Sequence, residues 1–154
     1  MSNKEVRIGV FPGSFNPFTI GHYSIVERSV GLFDKMYVAV GYNADKDITT
    51  SIDERIDSIR KSLSRFENVE VIAYSGLTVD FCREVNAKYL IRGIRSVADF
   101  EYERNMADIN RQISGLETIL FFSLPEHGAV SSSIVRELER FGADISHFLP
   151  SDKQ

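Results

Sequence analysis

The sequence predicts an α/β fold, a doubly wound five-stranded parallel sheet of the Rossmann-like type with helices on both faces. Five apolar, strand-like runs alternate along the chain with segments of helical character, an alternation typical of doubly wound folds. Several of these runs are apolar at consecutive positions, as expected of strands buried on both faces. No repeat, low-complexity stretch or linker interrupts the pattern. We therefore expect one domain spanning residues 1–154, with the common strand order 3-2-1-4-5.

The individual elements follow from these runs. Strands are predicted at residues 6–11, 35–41, 69–74, 89–91 and 118–123. Helices are predicted between and after them, at residues 19–33, 52–66, 78–87, 97–113 and 133–141. In the second helix, the isoleucines at 52, 56 and 59 recur at helical spacing. Ser51 and Glu54 have the spacing of a capping box at that helix's start.

Composition excludes several classes of protein. The 154 residues carry a net charge of −4, so the chain has no overall basic field suited to wrapping nucleic acid. The single cysteine, Cys82, excludes an internal disulfide framework and is expected in the core. No apolar stretch approaches the ~20 residues that a membrane span needs, and no signal peptide is visible. We expect a cytoplasmic protein that binds neither nucleic acid nor membrane.

The stretch GVFPGSFNPFTIGH links the first strand to the first helix. Gly13 permits a tight turn and close approach of a ligand, and Ser14 adds a hydroxyl donor. Thr19 is a plausible N-cap, and free N–H groups at a helix start favour an anion. Gly21 leaves room for a phosphate there, and His22 can donate an N–H to it. The alternative is an ordinary capped loop with a surface histidine.

A second loop, residues 92–95, follows the fourth predicted strand and carries two arginines. Ligands of doubly wound folds bind where the strand order reverses, here between strands one and four, so both loops should face one crevice. The guanidinium groups of Arg92 and Arg95 match phosphate oxygens, although they could instead be solvated or paired with nearby acids. The serines 131–133 start the last helix and either cap it or bind an anion as well.

Three longer motifs, FPGSFNPFTIGH, LIRGIRSVADFEYE and SSSIVRE…HFLP, occur in this order along residues 7–150. T-I-G-H resembles the [HT]-x-G-H signature of the nucleotidyltransferase superfamily. Together the motifs resemble the bacterial phosphopantetheine adenylyltransferases. The resemblance implies in-line transfer of the adenylyl group of ATP to 4′-phosphopantetheine, giving dephospho-coenzyme A and pyrophosphate. It also implies a homohexamer (a dimer of trimers) and coenzyme A as a feedback inhibitor.

The resemblance implies a role for each of a set of residues. Catalytic roles are implied for His22, Ser14, Lys46 and Arg92. Contacts to ATP are implied for Ser14, Phe15, His22, Gly93, Ile94, Arg95, Glu103, His127, Gly128, Ala129, Val130, Ser131, Ser132 and Ser133. Contacts to phosphopantetheine are implied for Ser14, Lys46, Leu77, Thr78, Arg92 and Asn110. His127 stands where many family members carry an aromatic residue.

A phosphomonoester is already an anionic nucleophile near neutral pH, so the expected reaction needs no general base. No cluster of protein ligands predicts a metal site, and Mg²⁺ is expected to be held mainly by the ATP phosphates. Two alternatives stay open. One is another adenylyl- or cytidylyltransferase that acts on nicotinate mononucleotide or glycerol 3-phosphate. The other is a non-catalytic nucleotide-sensing module on the same fold.

Overall fold

The computed structural model describes residues 4–43 and 51–151. Its strands are β1 (Ile8–Gly13), β2 (Lys35–Gly41), β3 (Val69–Tyr74), β4 (Tyr89–Ile94) and β5 (Glu117–Phe122). Its α-helices are α1 (Ile20–Ser29), α2 (Ile52–Ser62), α3 (Thr78–Glu84), α4 (Val97–Ser114) and α5 (Ser132–Arg140). Short 3₁₀ helices cover Val30–Leu32, Pro125–His127 and Ser146–Phe148.

The five strands form one parallel sheet in the order β3-β2-β1-β4-β5. This confirms the predicted Rossmann-like sheet. The chain runs outward from β1 to β3 and then returns to β4 on the other side of β1. The order of the strands therefore reverses between β1 and β4, and their carboxyl ends lie side by side.

The hydrophobic core lies on both faces of this sheet, and consecutive residues of one strand face opposite cores. Phe11 of β1 packs with one cluster, which includes Val26 of α1 and Ile59 of α2. Its neighbour Val10 packs with the other cluster, which includes Cys82 of α3. A strand buried on both sides needs apolar residues at successive positions. The consecutive apolar runs therefore predicted the architecture correctly, and Cys82 is buried in the core as expected.

Two predicted strand ends were wrong in a way that bears on the site, and the predicted end of the first helix was also wrong. The fourth strand continues through residues 92–94, predicted to be loop, because it stays paired with β5 as far as Ile94 and Phe122. Arg92 is therefore held in the sheet, and the loop begins only at Arg95. The first strand likewise runs two residues further than predicted, to Gly13, and α1 gives way to a 3₁₀ helix at Val30.

Side-chain caps fix the starts of α1, α2, α4 and α5, whereas α3 begins without one. The hydroxyl of Ser51 accepts from the Glu54 N–H at 3.1 Å, which is the serine half of the predicted capping box. Ser96 caps α4 and Ser131 caps α5 in the same way. Such caps satisfy N–H groups that a helix leaves without an internal partner. Within the described ranges, every helix is too short or too polar to cross a membrane.

Candidate active site

A cavity of about 250 Å³ opens where β1 and β4 end, at the point where the strand order reverses. We call it the first cavity. Its lining residues come from the turn after β1, from the start of α1, from the end of β4 and from the segment before α5. They are Phe11, Pro12, Gly13, Ser14, Phe15, Thr19, Gly21, His22, Ile25, Arg92, Gly93, Arg95, Ser123, His127, Val130, Ser131 and Ser132. The two predicted loops therefore do share one crevice.

His22 is held at the start of α1 by a reciprocal cap with Thr19. The Thr19 N–H donates to His22 Nδ1 at 2.9 Å, and the His22 N–H donates to the Thr19 hydroxyl at 3.3 Å. Since Nδ1 accepts a hydrogen bond, the neutral ring carries its proton on Nε2. The imidazole therefore has its remaining nitrogen free to act as a donor.

Burial, together with the positive charges of Arg92 and Arg95, lowers the pKa of His22 to about 4. Three aromatic rings surround the imidazole. Phe18 stacks on it at 5.5 Å between centroids, while Phe15 meets it edge-on at 5.0 Å and Phe11 lies at 6.2 Å. The side chain is thus both neutral near pH 7 and fixed in orientation.

The N-terminus of α1 supplies the floor of the cavity. The free N–H groups of a first helical turn and the helix dipole both favour a negatively charged group. A Cβ built on Gly21 would lie 3.5 Å from the Thr19 hydroxyl and 3.9 Å from the Cβ of His127, which are ordinary contacts. The protein packing alone therefore does not require a glycine here, and the open space lies on the cavity side.

Arg92 projects from the end of β4 and is fixed by two acceptors. Its Nε and Nη2 donate to the Glu103 carboxylate at 2.7–3.0 Å, and its Nη1 donates to the carbonyl of Pro12 at 2.7 Å. Glu103 is 7% exposed, so this is a largely buried, two-pronged ion pair. Glu103 was grouped with the ATP contacts by resemblance, but the structure places its carboxylate on Arg92 and away from the first cavity.

Arg95 stands at the beginning of the loop after β4. Its backbone N–H donates to Asp99 at 3.0 Å, and its side chain lies 3.6 Å from the same carboxylate. This pair is partly exposed and solvent-screened, so it holds the guanidinium weakly. Arg95 therefore lines the first cavity and can still turn toward a ligand.

The three serines at the start of α5 have different surroundings. The Ser131 hydroxyl accepts from the Ile134 N–H at 3.2 Å and caps the helix. The Ser132 hydroxyl donates to the carbonyl of Pro17 at 2.8 Å and ties α5 to the turn after β1. Ser133 faces a different groove. Only the first two serines line the first cavity.

A second cavity, of about 460 Å³, lies on the other side of Arg92. It is lined by the start of α3 and by one face of α4, and it includes the predicted residues Leu77, Thr78 and Asn110. Pro12, Gly13, Ser14 and Arg92 line both cavities. Ser14 and Arg92 therefore form a common wall between the two spaces.

Several predicted residues lie elsewhere. Ile94 and Gly128 line a neighbouring apolar cavity together with Arg95. Ala129 is exposed and is not among the residues lining the first cavity. Lys46 lies outside the described residues, so its predicted role in catalysis and in phosphopantetheine binding stays a prediction.

Sequence reasoning missed part of the site. The apolar wall of the second cavity is a stripe on α4 formed by Tyr102, Met106, Ile109 and Ile113. Their i, i+4, i+7 and i+11 spacing was available in the sequence as a signal of one helix face. Two further arginines, at 55 and 136, hold the turn after β1 through contacts to its backbone. Nothing local in the sequence indicates those contacts.

The chemistry of the first cavity suits a polyanion. Its described lining combines two arginines, a neutral imidazole donor, four serine hydroxyls and a helix N-terminus, and it contains no carboxylate. Such groups bind and polarise phosphate oxygens. The second cavity continues from the same arginine into a partly apolar space lined by one amide side chain and several hydroxyls. The arrangement fits two phosphorylated ligands whose phosphates meet beside Ser14 and Arg92.

Comparisons with known proteins agree with this architecture. A family model described as cytidylyltransferase-like matches residues 10–138. The phosphopantetheine adenylyltransferase of Bacteroides fragilis is 48% identical over 145 residues, covering 94% of this chain and 97% of that protein. The enzyme of the same name from Porphyromonas gingivalis is 48% identical over 144 residues, covering 94% of each chain.

Solved structures support the fold. The bifunctional NMN adenylyltransferase/ADP ribose pyrophosphatase of Francisella tularensis superimposes with a TM-score of 0.70 at 16% identity. The match covers 96% of this chain and 46% of that one. At this identity the likeness concerns the fold alone.

Proposed function

This chain belongs to the phosphopantetheine adenylyltransferase family, and from that premise we propose that it transfers the adenylyl group of ATP to 4′-phosphopantetheine. The products are dephospho-coenzyme A and pyrophosphate, so the protein is a nucleotidyltransferase of coenzyme A synthesis. The observation that carries the proposal is the shared wall of Ser14 and Arg92 between two cavities. Such a wall brings the phosphates of two substrates into contact.

The reaction is a direct displacement at the α-phosphorus. An oxygen of the acceptor phosphate forms the new P–O bond, the bond to the β-phosphate breaks, and pyrophosphate leaves with that bonding pair. The acceptor phosphate is anionic near neutral pH, so no residue has to remove a proton. The protein has to hold two polyanions in line and stabilise the charge that develops on the α-phosphate.

His22 and the start of α1 are proposed to stabilise the α-phosphate. The Nε2–H of the neutral imidazole is the available donor, since Nδ1 is occupied by the Thr19 N–H. A neutral ring donates without changing its protonation state. Ser14 donates from the wall between the two substrates, where both phosphates can reach its hydroxyl.

Arg92 is proposed to hold the acceptor phosphate. Its Nε and one prong of its fork are fixed by Glu103, so the guanidinium is preorganised and little rotamer entropy is lost on binding. Lys46 is proposed to assist it. Arg95 with the serines at the start of α5 is proposed to hold the leaving pyrophosphate.

Mg²⁺ is proposed to be carried by the ATP phosphates, where it screens their charge. The donor set fits this arrangement because the described lining of the first cavity offers cations and N–H or O–H donors, not carboxylates. Among the described residues there is also no group of three or more metal-ligating side chains. The protein is proposed to bind the phosphate oxygens that Mg²⁺ does not coordinate.

The pantetheine arm is proposed to lie in the second cavity. The apolar stripe of α4 supports its methylene and dimethyl groups, while Asn110 and Thr78 offer partners for its amides. Coenzyme A carries the same arm, and we propose that it competes for this space as a feedback inhibitor. An enzyme that uses ATP in this way is expected in the cytoplasm.

We propose a homohexamer as the working assembly. Large apolar side chains of α4 are exposed in the single chain: Val97, Phe100, Tyr102, Met106, Ile109 and Ile113. Val97 and Phe100 lie on a different side of α4 from the stripe that lines the second cavity, and exposed apolar side chains of this kind are typical of an interface between protein copies. Light scattering on the eluting peak of a gel-filtration column should give six times the 17.4 kDa of one chain.

Pyrophosphate release is the decisive test of the reaction. The protein should release pyrophosphate from ATP with 4′-phosphopantetheine and not with nicotinate mononucleotide. Replacing ATP by CTP and the acceptor by glycerol 3-phosphate tests the cytidylyltransferase alternative. Release with a different acceptor would replace the proposed substrate, and ATP binding without release under any condition would favour a nucleotide-sensing module.

A further inference from the structure

The turn at residues 12–17 is held by its backbone carbonyls. Four of its six carbonyl oxygens accept a hydrogen bond from a side chain that lies far away in the sequence. The pairs are Pro12 with Arg92, Ser14 with Arg55, Asn16 with Arg136, and Pro17 with Ser132. The donors come from β4, α2 and α5, so side chains of three elements hold one turn by hydrogen bonds.

Two of these donors lie outside the lining of both the first and the second cavity. Arg55 of α2 donates from Nη1 to the Ser14 carbonyl at 2.8 Å, and it is only 5% exposed. Arg136 of α5 donates from Nη1 to the Asn16 carbonyl at 2.5 Å and is exposed. Burying a guanidinium is costly unless its donors are satisfied, and the Ser14 carbonyl supplies an acceptor for Nη1.

Both arginines contact the turn on the side opposite the first cavity. They line a broad groove between α2 and α5 whose wall includes Phe15 and Asn16, and neither lines the first cavity. A carbonyl that accepts from this side directs its oxygen away from the first cavity. The negative ends of these two peptide dipoles are thereby kept from the space where phosphates are proposed to bind.

Phe15 lies between the two anchored carbonyls, and its backbone conformation is strained. Its φ is +47°, in the left-handed region that costs a non-glycine residue about 1 kcal/mol or more. Its ring meets His22 edge-on at 5.0 Å. A turn that relaxed at Phe15 would move the ring against which the imidazole is packed.

We propose that Arg55 and Arg136 are positioning residues for adenylyl transfer. They keep the Ser14 and Asn16 carbonyls outside the first cavity and maintain the turn that places Phe15 against His22. The proposal rests on the proposed function for its kinetic consequence. Its effect on ATP binding is independent of which acceptor the enzyme uses.

Three variants test it: Arg55→Met, Arg136→Met and, as a matched control, Arg60→Met. Methionine keeps most of the apolar stem and removes the charge and the donors. Arg60 lies on α2 as well and also donates to a backbone carbonyl, that of Val71 at 3.0 Å, but far from the turn. The measurements are kcat from pyrophosphate release, and ATP affinity and stoichiometry from calorimetry.

Both test variants should lose kcat by roughly 10- to 100-fold, the range expected when catalytic groups are misplaced by about 1 Å. Their ATP dissociation constants should rise several-fold at unchanged stoichiometry. Arg60→Met should match the wild type in both. Arg55→Lys, which keeps the charge and one donor, should recover part of the lost turnover.

A merely structural role gives a different pattern, because partial unfolding lowers the binding stoichiometry and leaves the dissociation constant of the folded fraction unchanged. That pattern in Arg55→Met, or folded Arg136→Met with wild-type turnover and ATP affinity, overturns the proposal. If Arg55→Met does not fold, the kcat and ATP affinity of Arg136→Met, at an exposed position, and of Arg55→Lys test the proposal. If the wild type binds ATP but does not use 4′-phosphopantetheine, the proposed function fails by itself, and the ATP affinities still test the turn.

Discussion

Thr19 and His22 cap each other across the first turn of α1, with the Thr19 N–H donating to His22 Nδ1 at 2.9 Å. This contact gives the His22 side chain both a structural and a ligand-binding role. It completes the start of the helix, and it leaves the Nε2–H as the only donor of the ring that can reach a ligand. The two roles can be separated by substitution because they use different nitrogens.

His22→Asn should keep the cap and lose the donor. The asparagine side chain oxygen can accept from the Thr19 N–H, but its amide does not extend to the position of Nε2. We expect kcat to fall roughly 10²-fold, typical of losing one transition-state donor, with ATP affinity less affected. Thermal unfolding should show little loss of stability.

His22→Ala is the companion variant, because it removes both the cap and the donor. Its kcat should fall as far as that of His22→Asn, and its stability should drop by about 1 kcal/mol or more through loss of the cap. Near-normal turnover in either variant would remove His22 from the mechanism.

The low pKa of His22 predicts how stability depends on pH. The folded-state pKa is about 4 and lies below the ordinary value of 6.5. As the pH falls, the unfolded chain therefore takes up a proton before the folded protein does. The contribution of the neutral ring is fully present above about pH 6.5 and is lost as the pH falls toward 4, by about 3 kcal/mol in total.

About 2 kcal/mol of that loss should occur between pH 7 and pH 5. Urea unfolding of the wild type at these two pH values should show it, and His22→Asn should lack it. An NMR titration of the ring protons measures the pKa directly, which avoids confusion with the acceptor phosphate, whose own pKa is near 6. A value near 6.5 would contradict the burial argument.

The fold could be predicted from sequence because its signals are local. Val10 and Phe11 are adjacent in the chain and pack in opposite cores, so burial on both faces of β1 is visible as an unbroken apolar run. The cap at Thr19 lies three residues from its partner, within the window that a motif covers. Strand order followed from the usual winding of such folds.

The parts that sequence reasoning placed wrongly or missed depend on distant contacts. Arg92 was predicted to lie in a loop, yet pairing with β5 extends the strand beyond it. Arg55 and Arg136 meet the turn across 41 and 120 residues. Side chains that act on backbone carbonyls leave no residue pattern at the accepting end, so only the folded chain reveals them.

Glu103→Gln tests whether Glu103 affects binding of the acceptor or binding of ATP. Its carboxylate fixes the Arg92 fork, so a neutral amide should leave Arg92 less ordered and raise the KM for 4′-phosphopantetheine by about 10-fold. The KM for ATP should change less. A steady-state titration of each substrate measures both.

Asp99→Asn is the matched control for Glu103→Gln, because Asp99 pairs with Arg95 at a partly exposed position. A screened pair of this kind contributes about 0–1 kcal/mol, so either KM should change by no more than about 5-fold. A larger rise in the ATP KM than in the acceptor KM for Glu103→Gln would return Glu103 to the nucleotide side.

Gly21→Ala separates packing from ligand binding at the start of α1. The nearest atoms to the added Cβ would be the Thr19 hydroxyl at 3.5 Å and the Cβ of His127 at 3.9 Å. The protein should therefore accept the methyl group without loss of stability, and alanine is also the better helix former. ATP affinity should nevertheless fall by about 10-fold or more, equivalent to about 1.4 kcal/mol, because the methyl group would enter the space proposed for a phosphate.

Gly31→Ala, where a Cβ meets nothing within 4 Å, is the control and should bind ATP as the wild type does. Unchanged ATP affinity in folded Gly21→Ala would mean that the phosphates do not rest on this helix start.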